Sequence, residues 1–138
     1  RVQPRPQPKK IEPPPRPKFN PALKYFLVSQ NTRPGYVQYD VNVYINRRWV
    51  RKIRNRDSQV VFEINRYLKP GKNTVHFAAS KNLDGKAKIS NSAADYIRII
   101  IGTGTQGGGT VNITESLLEF KASASQSASF NEEKILTE

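Results

Sequence analysis

The sequence predicts an all-β chain, an antiparallel β-sandwich carried on an extended proline-rich arm. Three observations predict it. Apolar residues fall on every second position in Val37, Tyr39, Val41, Val43 and Ile45, with Gln38, Asp40 and Asn42 between them, which is the period of a strand with one buried face. The pattern returns in Val60, Phe62 and Ile64 and again in Val75, Phe77 and Ala79. Between these last two runs lies Pro70-Gly71, whose proline presets φ and whose glycine takes the positive φ of a type II turn.

The arm comes first. Eight of the ten prolines lie within residues 1–21, among Arg, Lys and Gln, so this segment forms neither helix nor ladder and samples extended polyproline II. It reads as a semi-rigid basic spacer or linker, or as a segment laid on a partner, with Lys9, Lys10 and Arg16 as its candidate contacts. Its large apolar groups are few, Val2, Ile11 and Phe19, so the folded domain is expected over 22–138 and arm removal is expected to leave thermal unfolding unchanged. With no initiator Met at Arg1, the N-terminus reads either as a mature end left by processing or as the start of a cut piece.

The domain then runs strand, polar turn, short strand, basic loop, strand, tight turn, strand. Beyond it, Asp84-Gly85 after Asn82 is expected to be a turn rather than a metal loop, because the repeated oxygen ligands of a calcium loop are missing. Tyr96–Ile101 suits a strand, and Gly102-Thr103-Gly104 opens an expected Gly-rich flexible loop over 102–110. That loop lacks the Lys-Ser/Thr pair of a phosphate-binding loop. Val111 and Ile113 alternate, then Leu118, Phe120 and Ala122 alternate in the opposite parity, so a bulge is expected near Glu115 to Leu117. Ala122 to Ser129 reads as a plain strand or a linker, and 122–138 as a whole supplies a possible C-terminal strand or arm.

Two segments carry a resemblance. Val41-Asn42-Val43-Tyr44-Ile45-Asn46, followed by Phe62 through Val75 with its Tyr67-Leu68-Lys69-Pro70-Gly71-Lys72-Asn73 core, resembles the galactose-binding-domain-like β-sandwich modules over about residues 37–80. The resemblance implies a jelly-roll sandwich. Many members have a glycine after the asparagine of the first segment, where this chain has Arg47 and Arg48. Family sugar sites lie in variable loops, so no binding residue carries over, and fold does not settle function.

Charge divides the chain into three regions. Residues 1–24 carry +6, residues 25–101 carry +9 and residues 102–138 carry −3, within a total of +12. A basic body with an acidic tail favours association with a polyanion or head-to-tail with another copy. The densest charge is Arg47, Arg48, Arg51, Lys52, Arg54 and Arg56, interrupted by Trp49, Val50 and Ile53. If Trp49 to Ile53 is a strand, Trp49, Arg51 and Ile53 share one face and Val50 and Lys52 the other. Guanidinium forks beside an indole suit phosphate, carboxylate or sulfate groups and a stacked base or sugar, while an exposed hairpin edge guarded by cations accounts for the same residues.

Catalysis and metal binding find little support. There is no cysteine, which removes a thiol nucleophile, a Cys-zinc site and a disulfide scaffold. His76 is the single histidine, and strand parity turns it away from the face that Val75 and Phe77 bury. Asp40, Asp57, Glu63, Asp84 and Asp95 are scattered, and convergence of two at one end of the sandwich remains the one route to a calcium site. The chain is therefore expected to be no enzyme and to need no cofactor or metal. The expected function is a non-catalytic structural or accessory subunit of a larger envelope, extracellular or membrane-associated assembly, binding protein partners through its arm and the arginine-rich run. The alternatives are a carbohydrate-binding module, with an anionic glycan or other polyanion as ligand, and an OB-like single-stranded nucleic-acid binder using Trp49 and Tyr44. An exposed platform of aromatics favours sugar, a continuous basic groove favours nucleic acid, and an arm lying on foreign protein favours assembly. The expected location is periplasmic, cell-envelope or extracellular, with the cytoplasm left open.

Overall fold

The computed structural model describes residues 23–81, 90, 92–126 and 128–137. The arm residues Lys9, Lys10 and Arg16 and the Asp84-Gly85 turn lie outside that set. Eight strands, β1 (Lys24–Asn31), β2 (Tyr39–Ile45), β3 (Arg48–Ile53), β4 (Gln59–Glu63), β5 (Lys72–Lys81), β6 (Tyr96–Gly107), β7 (Thr110–Ser123) and β8 (Phe130–Thr137), form two four-stranded sheets. The first has the order β4-β1-β6-β7 and the second β3-β2-β5-β8, and every pairing is antiparallel. The expected two-sheet antiparallel sandwich is therefore what the chain forms. Edges β3 and β4 face each other across one open side, where the Arg51 guanidinium lies 5.2 Å from the centre of the Phe62 ring. Followed around the sandwich, the strands run 1-4-3-2 and then 5-8-7-6, each set an order of the Greek-key type.

The core is the set of alternating residues the sequence singles out. Tyr39, Val41, Val43, Ile45, Val75, Phe77 and Ala79 from the second sheet meet Ile97, Ile99, Ile101, Phe120 and Ala122 from the first, all buried. Phe77 stacks on Phe120 with ring centres 4.6 Å apart. Val37, although buried, precedes the strand: Gln38 has φ 68, and β2 begins only at Tyr39. Strand β1 has no counterpart in the sequence reading. Its run Tyr25-Phe26-Leu27 is apolar without alternation, with Phe26 buried on the face opposite Tyr25 and Leu27.

Three local features depart from expectation. Strand β3 has its bulge at Val50, since Val43 pairs with Arg51 and Tyr44 with Trp49. The extra residue breaks simple alternation: Val50 and Ile53 both turn inward, while Trp49 and Lys52, opposite Tyr44 and Asn42, share the outer face. Second, most of the expected Gly-rich loop is strand. β6 continues to Gly107, and the turn is confined to Gly108 and Gly109, with φ 59 and 79. Third, β7 breaks register at Leu117, inside the expected span, and again at Thr114. Two bulges cancel, so Val111 and Ile113 pair with Gln106 and Gly104 on the outer face while Leu118, Phe120 and Ala122 pair with core residues of β6. Of the C-terminal segment, 122–123 end β7 in the first sheet and Phe130–Thr137 forms β8 in the second, paired with β5 along its whole length.

The two hairpin turns show how residue choice sets strain. Gly108-Gly109 and Asn46-Arg47 are both two-residue loops with positive φ at both positions, the type I′ geometry that suits the twist of paired strands. Asparagine tolerates that region, and Asn46 sits at φ 51. Arginine gains nothing there. Arg47 is held at φ 69, which costs about 1 kcal/mol relative to glycine.

Below this hairpin the Lys69-Pro70-Gly71 turn is locked by Asn73, whose side chain is fully buried. Its Oδ1 accepts from the Lys69 amide at 2.9 Å and from Asn46 Nδ2 at 2.8 Å, and its Nδ2 donates to the Lys69 carbonyl at 2.8 Å. Asn46 also donates to the Tyr67 carbonyl at 3.1 Å and accepts from the Thr74 amide at 3.1 Å. Gly71 has φ 93, the positive value expected of its turn position. At the far end of the sandwich Lys81 Nζ lies 4.5 Å from the Tyr39 ring centre and donates to the Val37 and Ala124 carbonyls, and burial pushes its ammonium below the usual lysine range.

Candidate functional site on the outer face of the second sheet

Strand register assembles the site. Trp49 of β3 stands opposite Tyr44 of β2, Tyr44 opposite His76 of β5, and His76 opposite Glu133 of β8, one row across all four strands of the second sheet. Three inter-strand spacings make that row about 14 Å long. Trp49, Tyr44 and His76 share the outer face because each follows or precedes a core residue in sequence and so points the other way, and Glu133 joins them through its register with His76.

The row is held by specific contacts. Trp49 Nε1 donates to Asn42 Oδ1 at 3.0 Å, which lays the indole over β2 and leaves the residue 56% exposed. Tyr44 meets the His76 ring edge to face with centres 5.9 Å apart. His76 Nε2 lies 3.0 Å from Asn131 Oδ1, and its Nδ1 lies 3.9 Å from a Glu133 carboxylate oxygen. Beside the row the sheet is low, because Ala78 stands between Asn42 and Asn131 and Thr74 follows Asn73 of the turn. Tyr44 and His76 beside these short residues line a concavity of about 850 Å³, whose lining includes Arg47 and Lys69 on the hairpin side, while Trp49 lines a separate hollow with Arg51, Lys52 and Asp57.

Arginine and lysine of the basic run separate into three places. Arg47 lines the concavity. Arg48 and Arg51 turn to the open side between the sheets, with guanidinium carbons 5.2 Å from the centres of the Tyr67 and Phe62 rings, so stacking on aromatic residues accounts for both. Lys52, opposite Asn42, shares the outer face with Arg47. Arg54 and Arg56 belong to the β3–β4 connection, where the Arg54 amide donates to Asp57 Oδ2 at 2.8 Å and the Asn55 amide to Asp40 Oδ1 at 2.8 Å. The dense run in sequence is thus spread along a strand of about 20 Å, not gathered in one loop.

Several site residues escape sequence reasoning. Asn131 and Glu133 carry no motif, Lys69 and Thr74 belong to the segment that carries the resemblance without being marked there as site residues, and His76 gains its role only through a partner 55 residues away. A second concavity, about 440 Å³ on the outer face of the first sheet, is lined by Val28, Val61, Ile100, Val111 and Ile113 with glutamines at its rim and holds no titratable group. Among the described residues no group of three or more His, Asp or Glu is placed to hold a metal ion, and no helix is long and apolar enough to cross a membrane. Compared with protein-family models, curated proteins and solved structures, the chain matches none.

Proposed function

We propose that this chain is a non-catalytic glycan-binding module, an accessory part of an envelope or extracellular assembly, and that the outer face of its second sheet holds the sugar. The observation that carries the reading is the row Trp49, Tyr44 and His76 across the sheet, in which Tyr44 and His76 line the concavity with Ala78 and Thr74 and Trp49 stands next to Tyr44, beside the concavity. Flat aromatic faces take the apolar faces of a pyranose ring, and the Asn131 amide, the Thr74 hydroxyl and the Glu133 carboxylate supply donors and acceptors for its hydroxyls. We propose further that the sandwich is a jelly roll of the galactose-binding-like kind, a reading supported by its two Greek keys and by the roles that Asn46 and Asn73 play in the matching segments. In this chain the binding face is then a sheet face, where that family uses loops.

A nucleic-acid groove has weaker support, since the cations divide among three places and two of them stack on Tyr67 and Phe62. Trp49→Ala tests the proposal. Removing an exposed aromatic anchor from a stacking site typically costs about 1.5–3 kcal/mol, tenfold or more in affinity. The fold is expected to be unchanged, because Trp49 contributes nothing to the core. Calorimetric titration with neutral and acidic oligosaccharides and with a single-stranded oligonucleotide reads the outcome. Binding of the oligonucleotide alone, or sugar binding that Trp49→Ala leaves intact, would sink the reading.

A further inference from the structure

We infer that the ligand carries an anionic group, a sugar-borne carboxylate or sulfate, and that Arg47 and Lys69 receive it at the hairpin end of the concavity. The inference rests on the glycan reading and names its ligand class. Its first ground is the conformation of Arg47. This residue occupies the second position of a type I′ turn at φ 69, where the chain's other turn of that type has Gly109, and where glycine is free of strain. A side chain kept at a position that disfavours it points to a use for that side chain.

The second ground is charge. Among the described residues, Arg47 and Lys69 take part in no ion pair, a state they share with Arg48, Arg51 and Lys52, but these two alone of the five line the concavity. The one acid lining the concavity, Glu133, stands beside His76 rather than beside these two cations. Two unpaired cations at one end of a hollow, with a carboxylate at the other, orient an asymmetric ligand.

The third ground is rigidity. The backbones that bear the two cations are tied to each other, since Asn46 Nδ2 donates to Asn73 Oδ1 and Asn73 bonds both the amide and the carbonyl of Lys69. Neither cation has to bring its loop into place on binding. An Arg fork and a Lys point charge held in this way suit a carboxylate or sulfate, and the interaction weakens with salt.

The test titrates the native chain, Arg47→Gly, Lys69→Gln and Trp49→Ala with a short oligogalacturonate, a heparin-derived oligosaccharide and a neutral galactan oligomer. The native chain is expected to prefer an acidic probe over the neutral one by roughly tenfold or more at low salt, the weight of a charged hydrogen bond. The stronger of the two acidic probes distinguishes carboxylate from sulfate. Arg47→Gly and Lys69→Gln are expected to remove that preference and its salt dependence, lowering affinity for the acidic probes far more than for the neutral sugar. Arg47→Gly is also expected to melt about 2–3 °C higher, because strain is relieved. That combination separates lost contact from lost fold. An acidic-to-neutral ratio unmoved by either change, with Trp49→Ala still weakening every probe, overturns the anion site and leaves the glycan reading standing. No binding of any probe by the native chain overturns both.

Discussion

Gly102→Val is expected to lower the melting temperature by about 10 °C, corresponding to a loss of about 3 kcal/mol in a domain of this size. The cause is the close approach of two backbones. A Cβ at Gly102 would lie 2.3 Å from the Glu115 carbonyl oxygen, and one at Gly104 would lie 2.3 Å from that of Asn112. Neither obstacle is a side chain that can swing away. β7 bulges at Leu117 and Thr114, and these bulges press its carbonyls toward the outer face of β6 where only hydrogen atoms fit. Relief requires the strands to part along the most extensive hairpin of the fold, which breaks ladder bonds on both sides. Gly107 provides the control: a Cβ there meets nothing within 4 Å and its backbone is in the ordinary region, so Gly107→Ala should change stability by less than about 0.5 kcal/mol. Thermal denaturation of the three proteins side by side checks this. Equal melting temperatures for Gly102→Val and Gly107→Ala would show that the glycine-rich stretch is loop-like after all.

That stretch marks the limit of what the sequence makes legible. Alternating residues from Tyr39 to Ile45 and from Val75 to Ala79 declare their buried face because a half-exposed strand must repeat every second position. Strand β1 is hidden for the opposite reason, since it buries Phe26 on one face and Tyr25 and Leu27 on the other and so shows no alternation. Glycines at 102, 104, 107, 108 and 109 look alike in sequence, yet two serve close packing and two serve a turn. Which glycine does which depends on the bulges of the partner strand. The same holds at Val50, whose extra place in β3 sends Trp49 outward and Arg48 and Arg51 to the open side, a sorting that simple parity assigns differently. Of the site, Arg47 and Trp49 stand out as residues, but the row that joins Trp49 to Glu133 exists only through three strand registers. Non-local pairing leaves no trace in local pattern.

Asn73→Ala is expected to cost about 3 kcal/mol and to disturb the binding face as well as the fold. The side chain is fully buried and makes two acceptances and one donation at 2.8–2.9 Å, two of the three to the same residue, Lys69, with the Gly71 carbonyl 3.5 Å from its Nδ2. Alanine removes all three at once and leaves a gap where the amide stood, so the Lys69 amide and carbonyl lose their partners and Asn46 keeps only Tyr67 and Thr74. The Lys69-Pro70-Gly71 turn and the Asn46-Arg47 hairpin are then coupled only through the strand ladder. Since these two turns carry the cations at the end of the concavity, Asn73→Ala should weaken acidic sugar more than neutral sugar, with Arg47 and Lys69 themselves untouched. Asn42→Ala, which removes only the acceptor of the Trp49 indole on the outer face, should change the melting temperature little. Calorimetry gives the stability and titration with the acidic and neutral oligosaccharides gives the coupling. A loss of less than about 1 kcal/mol would mean that water replaces the amide in full and that the turn is held by its Pro-Gly geometry alone.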